Sequence, residues 1–486
     1  MKNSSIWLDF KRDFEYPKLE KDIFVDVVII GGGITGISTL YQLRNSNLKV
    51  CLVEKNRICE GVTSRTTGKL TYLQDNIYSK LCDFHSREVA KKYLNSQRYA
   101  IKLARDIINQ NNIECNLETA DSYVFSNSND GKIEKEVALL NELDIDVKLS
   151  NVLPNGVDVS SSYYVQDTYV FHPIKYLYAL ANICTNSGKK IYENTCVIDI
   201  NKENDFYVVR GEKFNIKARY VVMAVHYPYF LFPFLMPFKA YLEKSYIEAF
   251  KVIKNYKFSA INLDKETIST RFHQGDGAIY QLYLTNSHNY CVKNNEEENF
   301  RSLLEEKDIT PEYIWSNKDI ITNDFLPFIG RINNDNLLLA TGYNTWGMTN
   351  GILAGKILSD IIEGRDNEYF ELFKPNRGLN LGGFVNFPIS LWSSISAFLK
   401  SKVIKNKNWY SDRVRFEERN GKSVGIYIDE ENKEHIVYNL CPHMKCSLIF
   451  NEIEKTWDCP CHGSRFSIDG KSIEGPSNYD ITYRDD

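Results

Sequence analysis

Four short apolar runs stand out along this chain, at residues 25–30, 49–53, 220–225 and 336–340. The first (Val25, Val27, Val28, Ile29, Ile30) and the third (YVVMAV) have the length and β-branched composition of strands buried on both faces of a parallel sheet. The second and fourth predict further strands. Between these runs the period changes. From about 83 to 145 the apolar positions recur at helical spacing, with a strand-like piece at 122–125. Phe171-His172-Pro173-Ile174 opens an apolar helix to about 184, and strand-like pieces follow at 191–200 and 206–209. Residues 229–317 return to alternating, aromatic-rich segments such as 246–252 and 278–284, which predict the sheet of a second domain. Short strands are expected again at 424–428 and 435–438.

Two long uncharged runs raise the question of a membrane. Residues 220–238 are very apolar, but Pro228, Pro233 and Pro237 would break a spanning helix. Residues 381–399 hold Pro388, Asn386 and four serines, too polar to span. Their second half sets Leu391, Trp392, Ile395, Phe398 and Leu399 on one face, an amphipathic helix packed on the protein. Trp7 and Phe10, in an irregular lead-in, are expected to pack on the first domain.

At 486 residues the chain exceeds one ordinary domain, and two or three cores are expected. The formal net charge of −4 gives no support for nucleic-acid binding. No cationic segment followed by an apolar one opens the chain, so a cytoplasmic location without membrane association is expected. Of eleven cysteines, seven are scattered from Cys51 to Cys291, and four fall between Cys441 and Cys461. This is not the framework of a small secreted protein.

The first run ends in Gly31-x-Gly33-x-x-Gly36, beside Ile34 and Thr35, and a helix follows. Gly31 allows a tight turn, Gly33 lets backbone N–H groups approach a pyrophosphate, and Gly36 lets helix pack on strand. The 49–53 run ends at Glu54, placed for a ribose hydroxyl, and Lys55 follows. Strand, glycines, helix, strand and acid in order predict a dinucleotide site. The loop after it, Gly61 to Lys69, carries Thr63, Ser64, Arg65, Thr66 and Thr67, and suits a path under a pyrophosphate and a flavin. Val197 and His226 are expected to contact the cofactor too; His226 ends a predicted parallel strand. A second strand–glycine-turn–helix occurs at 336–362, with Gly342, Gly347, Met348 and Thr349 in the turn. A cofactor long enough to touch both turns would be FAD rather than NAD.

Residues about 5–365 resemble the family of D-amino-acid oxidase, glycine oxidase and sarcosine oxidase, on VDVVIIGGGITG, the Glu54 position, DFLPFIGR and GYNTWGMTNG. The resemblance implies an α/β, Rossmann-like FAD-binding domain assembled from separated segments (1–80, 150–228 and 318–372), with an α+β substrate domain (81–149 and 229–317) inserted twice. It implies oxidation of a C–N bond by hydride transfer to FAD. It also implies a helix near Met348 aimed at the flavin pyrimidine edge. Some members bind FAD through a cysteine shortly before the DFLPFIG-like motif; that interval holds none here, so non-covalent binding is expected.

Cys441-Pro-His443 and, fifteen residues on, Cys459-Pro-Cys461-His462 form two cysteine-plus-histidine pairs. Such pairs can hold a [2Fe–2S] cluster, two thiolates on one iron and two imidazoles on the other, and the same ligand types would suit zinc. The whole segment from Asn439 to Pro476 resembles the Rieske domain of respiratory cytochrome complexes. By that resemblance Cys441 and Cys459 bind one iron, His443 and His462 the other, and Cys446 and Cys461 form a disulfide. Ser464 matches a serine that hydrogen-bonds a bridging sulfide, and Phe466 stands where high-potential members carry tyrosine. A small all-β domain over 405–486 is expected, after a linker with an amphipathic helix at 373–404.

The remaining histidines (His85, His172, His273, His288, His435) read as structural. Arg271 could clamp a substrate carboxylate or sit in a surface salt bridge. Together these features predict an FAD-dependent oxidoreductase acting on a small amine or amino acid. A fused cluster would pass electrons to an acceptor the sequence does not identify. Two rivals are an O2-using oxidase whose Rieske domain is structural, and a redox sensor or electron-transfer module.

Overall fold

The computed structural model describes residues 1–228 except 129, 239–289 except 276, 310–377 and 412–484. All four apolar runs meet as parallel strands of one mixed sheet. The strand Ile23–Ile30 lies between Val50–Val53 and Asn215–Met223, and both neighbours run parallel to it. Lys190–Tyr192 extends the sheet on one side, and Leu337–Thr341 lies parallel to Asn215–Met223 on the other. Both faces are covered, which is why the central strand is apolar at nearly every position. Val27 and Ile29 pack with Ile37, Leu40, Ile352 and Leu353, from the helices Ile34–Gln42 and Gly347–Glu363. Val25, Val28 and Ile30 pack on the opposite side with Tyr207 and Val209, from a hairpin whose second strand is Phe206–Arg210. The predicted strand at 191–200 is in fact two, Lys190–Tyr192 and Asp199–Glu203, broken where Asn194 takes a left-handed turn (φ 51).

The two helices cross closely because the sequence removes side chains at the contact. A Cβ on Gly355 would stand 2.5 Å from Ser38 Cβ. A Cβ on Gly36 would stand 1.9 Å from the Gly31 carbonyl oxygen, so only glycine fits there.

A second, eight-stranded sheet runs in the order Tyr313–Thr322, Ala240–Val252, Ile279–Asn289, Ile268–Gln274, Phe258–Asn262, Asp121–Ser126, Asp158–Val165, Lys148–Val152. The alternating segments predicted at 246–252 and 278–284 are its long central strands. The helical region resolves into Ile77–Phe84, Arg87–Gln110 and Lys132–Glu142. Trp7 is fully buried, its indole N–H bonded to the Thr66 carbonyl at 2.6 Å, and Phe10 packs edge-on to His172.

The C-terminal part is all β. One sheet holds Val414–Arg419, Lys422–Ile428 and Glu434–Tyr438; another holds Ile449–Asn451, Thr456–Asp458, Arg465–Ser467 and Ser472–Glu474. Trp457 is fully buried between them, against Gly425, where any Cβ would come within 2.5 Å of its ring. This core is continuous with Met223, Leu242, Ile320 and Leu339 of the two larger sheets. The amphipathic helix expected at 391–399 lies outside the described residues, as does most of the segment 373–404. Among the described residues no helix is long and apolar enough to cross a membrane.

Candidate functional site

The first glycine turn opens into a cavity of about 230 Å³. Gly31, Gly33, Ile34 and Thr35 form one wall, at the N-terminus of Ile34–Gln42, where the helix dipole favours an anion. Glu54 and Lys55 line it next, with Thr63, Val197 and His226; Gly342, Gly347 and Met348 line it from the second turn. The Glu54 carboxylate accepts hydrogen bonds from the N–H groups of Gly32 (2.7 Å) and Asn56 (2.9 Å). Thr63 Oγ1 accepts from Ile34 N at 3.0 Å, tying the following loop to the turn. These groups could hold the two phosphates and a ribose of a dinucleotide. Two of the expected residues stand outside the cavities. Gly36 serves helix packing, and the Ser64 hydroxyl donates to the carbonyls of Glu60 and Gly61.

A second cavity, about 300 Å³, adjoins the first and is lined by Arg65, Thr67 and Thr349 among others. Thr66, Asn317, Asp319, Thr345, Gly347 and Met348 line both. Lys69 turns inward from the loop; its ammonium donates to Ala260 O at 3.1 Å and to Ser269 Oγ, and burial, followed by the nearby Arg271 charge, pushes it down to about 7. Arg271 fits neither role foreseen for it. It is 1% exposed and donates to the carbonyls of Thr67, Gly68 and Phe171, a brace that holds the loop beneath the cavity.

The cysteine and histidine pairs come together in the C-terminal domain. The thiols of Cys441 and Cys459 hydrogen-bond to each other, and Ser464 reaches Cys441 as well. The His443 and His462 rings lie 5.1 Å apart and nearly perpendicular, at 84°. His443 Nε2 and His462 Nδ1 are buried without a hydrogen-bond partner. Burial holds both imidazoles below their usual value, in the neutral form that ligates metals. Cys446 and Cys461 are disulfide-bonded, so they are not free thiolates although their sulfurs lie close to Cys459. Two thiols outside the disulfide, two neutral imidazoles and orphaned ring nitrogens fit a [2Fe–2S] cluster with mixed ligands. Phe466 is fully buried on Arg465–Ser467.

Of the other histidines, His435 is clamped between Asp469 (2.7 Å) and Asp429 (3.0 Å), His85 bonds Asp324 O, and His172 caps the helix Pro173–Asn186. His273 is buried among rings; His288 carries no described side chain. Among the described residues His226 lines the first cavity.

No pattern in the sequence places the C-terminal domain against the first cavity. Ile473, Glu474, Gly475 and Asn478 of the C-terminal domain line the first cavity. Lys55, foreseen as a cofactor contact, also reaches across to Ser472 Oγ and Ser477 O, and Asn478 Nδ2 donates to Val197 O at 3.1 Å. Tyr227, beside His226 on the cavity wall, sets its ring 5.9 Å from that of His462. Farther along the junction, Lys244 lies 3.7 Å from Glu454 and 3.8 Å from Asp458, and Lys318 lies 3.8 Å from Asp458 and donates to Gly463 O. Arg465 bonds both acids. Burial opposes the charge on Glu454, but Arg465, Lys244 and Arg65 overcome it and hold its carboxyl at about 2.

Residues 26–361 match the family model described as FAD dependent oxidoreductase, and residues 400–483 match the Rieske [2Fe-2S] domain. A Bacillus subtilis protein, YhfW, named as a Rieske 2Fe-2S iron-sulfur protein, is 32% identical over 95% of this chain and 94% of its own length. Gamma-glutamylputrescine oxidoreductase of Escherichia coli is 24% identical over 74% of this chain and 88% of its own. Glycine oxidase from Geobacillus kaustophilus superposes with a TM-score of 0.61 at 17% identity, covering 73% of this chain and 99% of that one. L-amino acid deaminase from Proteus vulgaris gives 0.59 at 16%, covering 76% and 100%. These two structures establish the fold of the larger part.

Proposed function

Because the chain belongs to the FAD-dependent oxidoreductase family and ends in a Rieske [2Fe–2S] domain, we propose that it oxidises the C–N bond of an amine or amino acid and passes the electrons through the cluster to an acceptor. Bound FAD supplies a hydride acceptor, and bound [2Fe–2S] supplies a one-electron carrier. The N-terminus of Ile34–Gln42, at the Gly31–Ile34 turn, would hold the pyrophosphate and Glu54 the ribose. The N-terminus of Gly347–Glu363 would face the flavin ring and favour negative charge there. Cys441 and Cys459 would hold one iron, His443 and His462 the other. The second cavity would seat the substrate and keep water from it. The names of glycine oxidase and gamma-glutamylputrescine oxidoreductase support a C–N bond as the target. The same reading keeps the cytoplasmic location expected from the sequence.

One observation carries the relay: Tyr227 borders the nucleotide cavity and packs its ring against that of His462. The two sites are therefore built against each other and not merely joined in one chain. The test is the order of events in the holoprotein under anaerobic conditions. A substrate should bleach the flavin absorbance first, and a Rieske-type EPR signal should then grow in the same molecules. Stoichiometric peroxide in air, with the cluster oxidised throughout, would instead support an oxidase with a structural Rieske domain.

A further inference from the structure

We propose that the substrate is recognised through a cationic ammonium group seated against Asp319 and Asn317, where the two cavities meet; the proposal rests on the reading that an amine is oxidised here. The strand Tyr313–Thr322 forms the shared wall, and its side chains alternate between two neighbourhoods. Ser316 and Lys318 face the C-terminal domain, where they bond Glu454 and Gly463. Asn317 and Asp319 face the cavities. Of the six residues that line both cavities, Asp319 is the only ionisable one.

Among the described residues no cation is paired with it. Asp319 has no ion pair among the described residues; its carboxylate accepts one hydrogen bond, from Asn317 Nδ2 at 2.8 Å. Asn317 is 8% exposed, and its Oδ1 is buried with no partner. A buried acceptor without a donor is costly, and one beside a carboxylate with no counter-ion calls for a group that brings several donors and a positive charge. An ammonium brings three donors. Burial first, then Glu243 directly opposite on Ala240–Val252 and Glu474 of the C-terminal domain, raise the Asp319 carboxyl to about 7. That is the mark of an acid without a counter-ion.

Among the described residues a substrate carboxylate would find no uncommitted cation at this place. Arg271 is committed to backbone carbonyls, Lys69 to Ala260 and Ser269, Arg65 to Ser316 O and Glu454, Lys80 to Asp75, and Lys132 to Asp130 and Leu263 O. The geometry therefore favours an amine with no carboxylate on the carbon that is oxidised. Ammonium binding by itself transfers no electron and breaks no bond.

The test uses two probes of one shape and opposite charge, tert-butylammonium and pivalate. Neither has hydrogen on the carbon bearing the charged group, so neither can be oxidised there. Calorimetric titration of the FAD-loaded chain should find the cation bound at least about tenfold more tightly. Asp319→Asn should weaken the cation by at least about tenfold, and Asp319→Glu should restore most of it. Pivalate binding as tightly as the cation in the unaltered protein would overturn the proposal, whether or not the variants fold. So would an Asp319→Asn protein that keeps its FAD and holds the cation within about twofold of the parent. If an amine bleaches the flavin while the probes bind equally, C–N oxidation stands and ammonium recognition falls. If the cation is preferred while no amine or amino acid bleaches the flavin, the outcome is the reverse.

Discussion

Replacing Asp458 by asparagine should loosen the C-terminal domain from the rest of the chain. The carboxylate lies 3.8 Å from Lys244 Nζ, 3.8 Å from Lys318 Nζ and 3.1 Å from Arg465 Nε. Those three side chains are 0%, 2% and 2% exposed, so water cannot replace the lost charge. Removing one partner of a buried ion pair costs about 3–5 kcal/mol. The lower end applies here, because Glu454 remains 2.9 Å from Arg465 and 3.7 Å from Lys244. For a domain of this size 1 kcal/mol moves the melting temperature by roughly 4–8 °C, so about 3 kcal/mol should lower it by 10 °C or more. The assay is a melt of the holoprotein that follows cluster absorbance and flavin fluorescence together. Both transitions should fall, because Ile473, Glu474, Gly475 and Asn478 form part of the first cavity's wall. Lys471→Ala, which breaks an exposed pair with Asp480, should change little. A shift under about 2 °C for Asp458→Asn would mean that the buried charges add no net docking energy, and the reasoning would fail.

Three further outcomes are expected. Gly33→Val should put methyl groups into the nucleotide cavity and against Thr63 Oγ1, 3.0 Å from the added Cβ, giving largely flavin-free protein by absorbance; normal FAD content would refute the placement. Ser464→Ala removes a hydroxyl that reaches Cys441, and should lower the cluster midpoint by roughly 40 mV for each kcal/mol of hydrogen bond lost, read by EPR-monitored titration; an unchanged midpoint in an intact cluster refutes it. Acid should also undock the domain. Glu454 sits at about 2 when folded, below its ordinary value, so its contribution is complete above about pH 4.5 and is lost as pH falls toward 2. Flavin release should therefore begin at lower temperature below that point, and a flat profile from pH 7 to pH 3 would show that the ion network is not what holds the interface.

What the sequence made legible was local. The Gly31–Gly36 turn, the acid at 54 and the C-terminal cysteine and histidine pairs each carry their chemistry within a few residues of one another. Spacing could therefore mark them, although at the cysteine and histidine pairs it left zinc open beside a [2Fe–2S] cluster. Contacts between Lys55 and Ser472, or Val197 and Asn478, join positions hundreds of residues apart, and no local pattern encodes such pairings. Arg271 was misread for a related reason. A lone arginine on a strand looks the same in sequence whether its guanidinium meets a ligand or three carbonyl oxygens. Asn317 and Asp319 lie in a strand with no motif, and only the fold reveals that its odd positions border a cavity.

The strand Tyr313–Thr322 also constrains how this protein can change. Loops around the second cavity can lengthen or shorten with local effect. A single inserted or deleted residue inside the strand would exchange its two faces, because side chains alternate with a period of two. Lys318 and Ser316 would then point into the two cavities, and Asp319 would be driven onto the acidic surface around Glu454 and Asp458. One slip would disturb the cavity wall and the docking surface together, so the strand can vary by substitution but not by length.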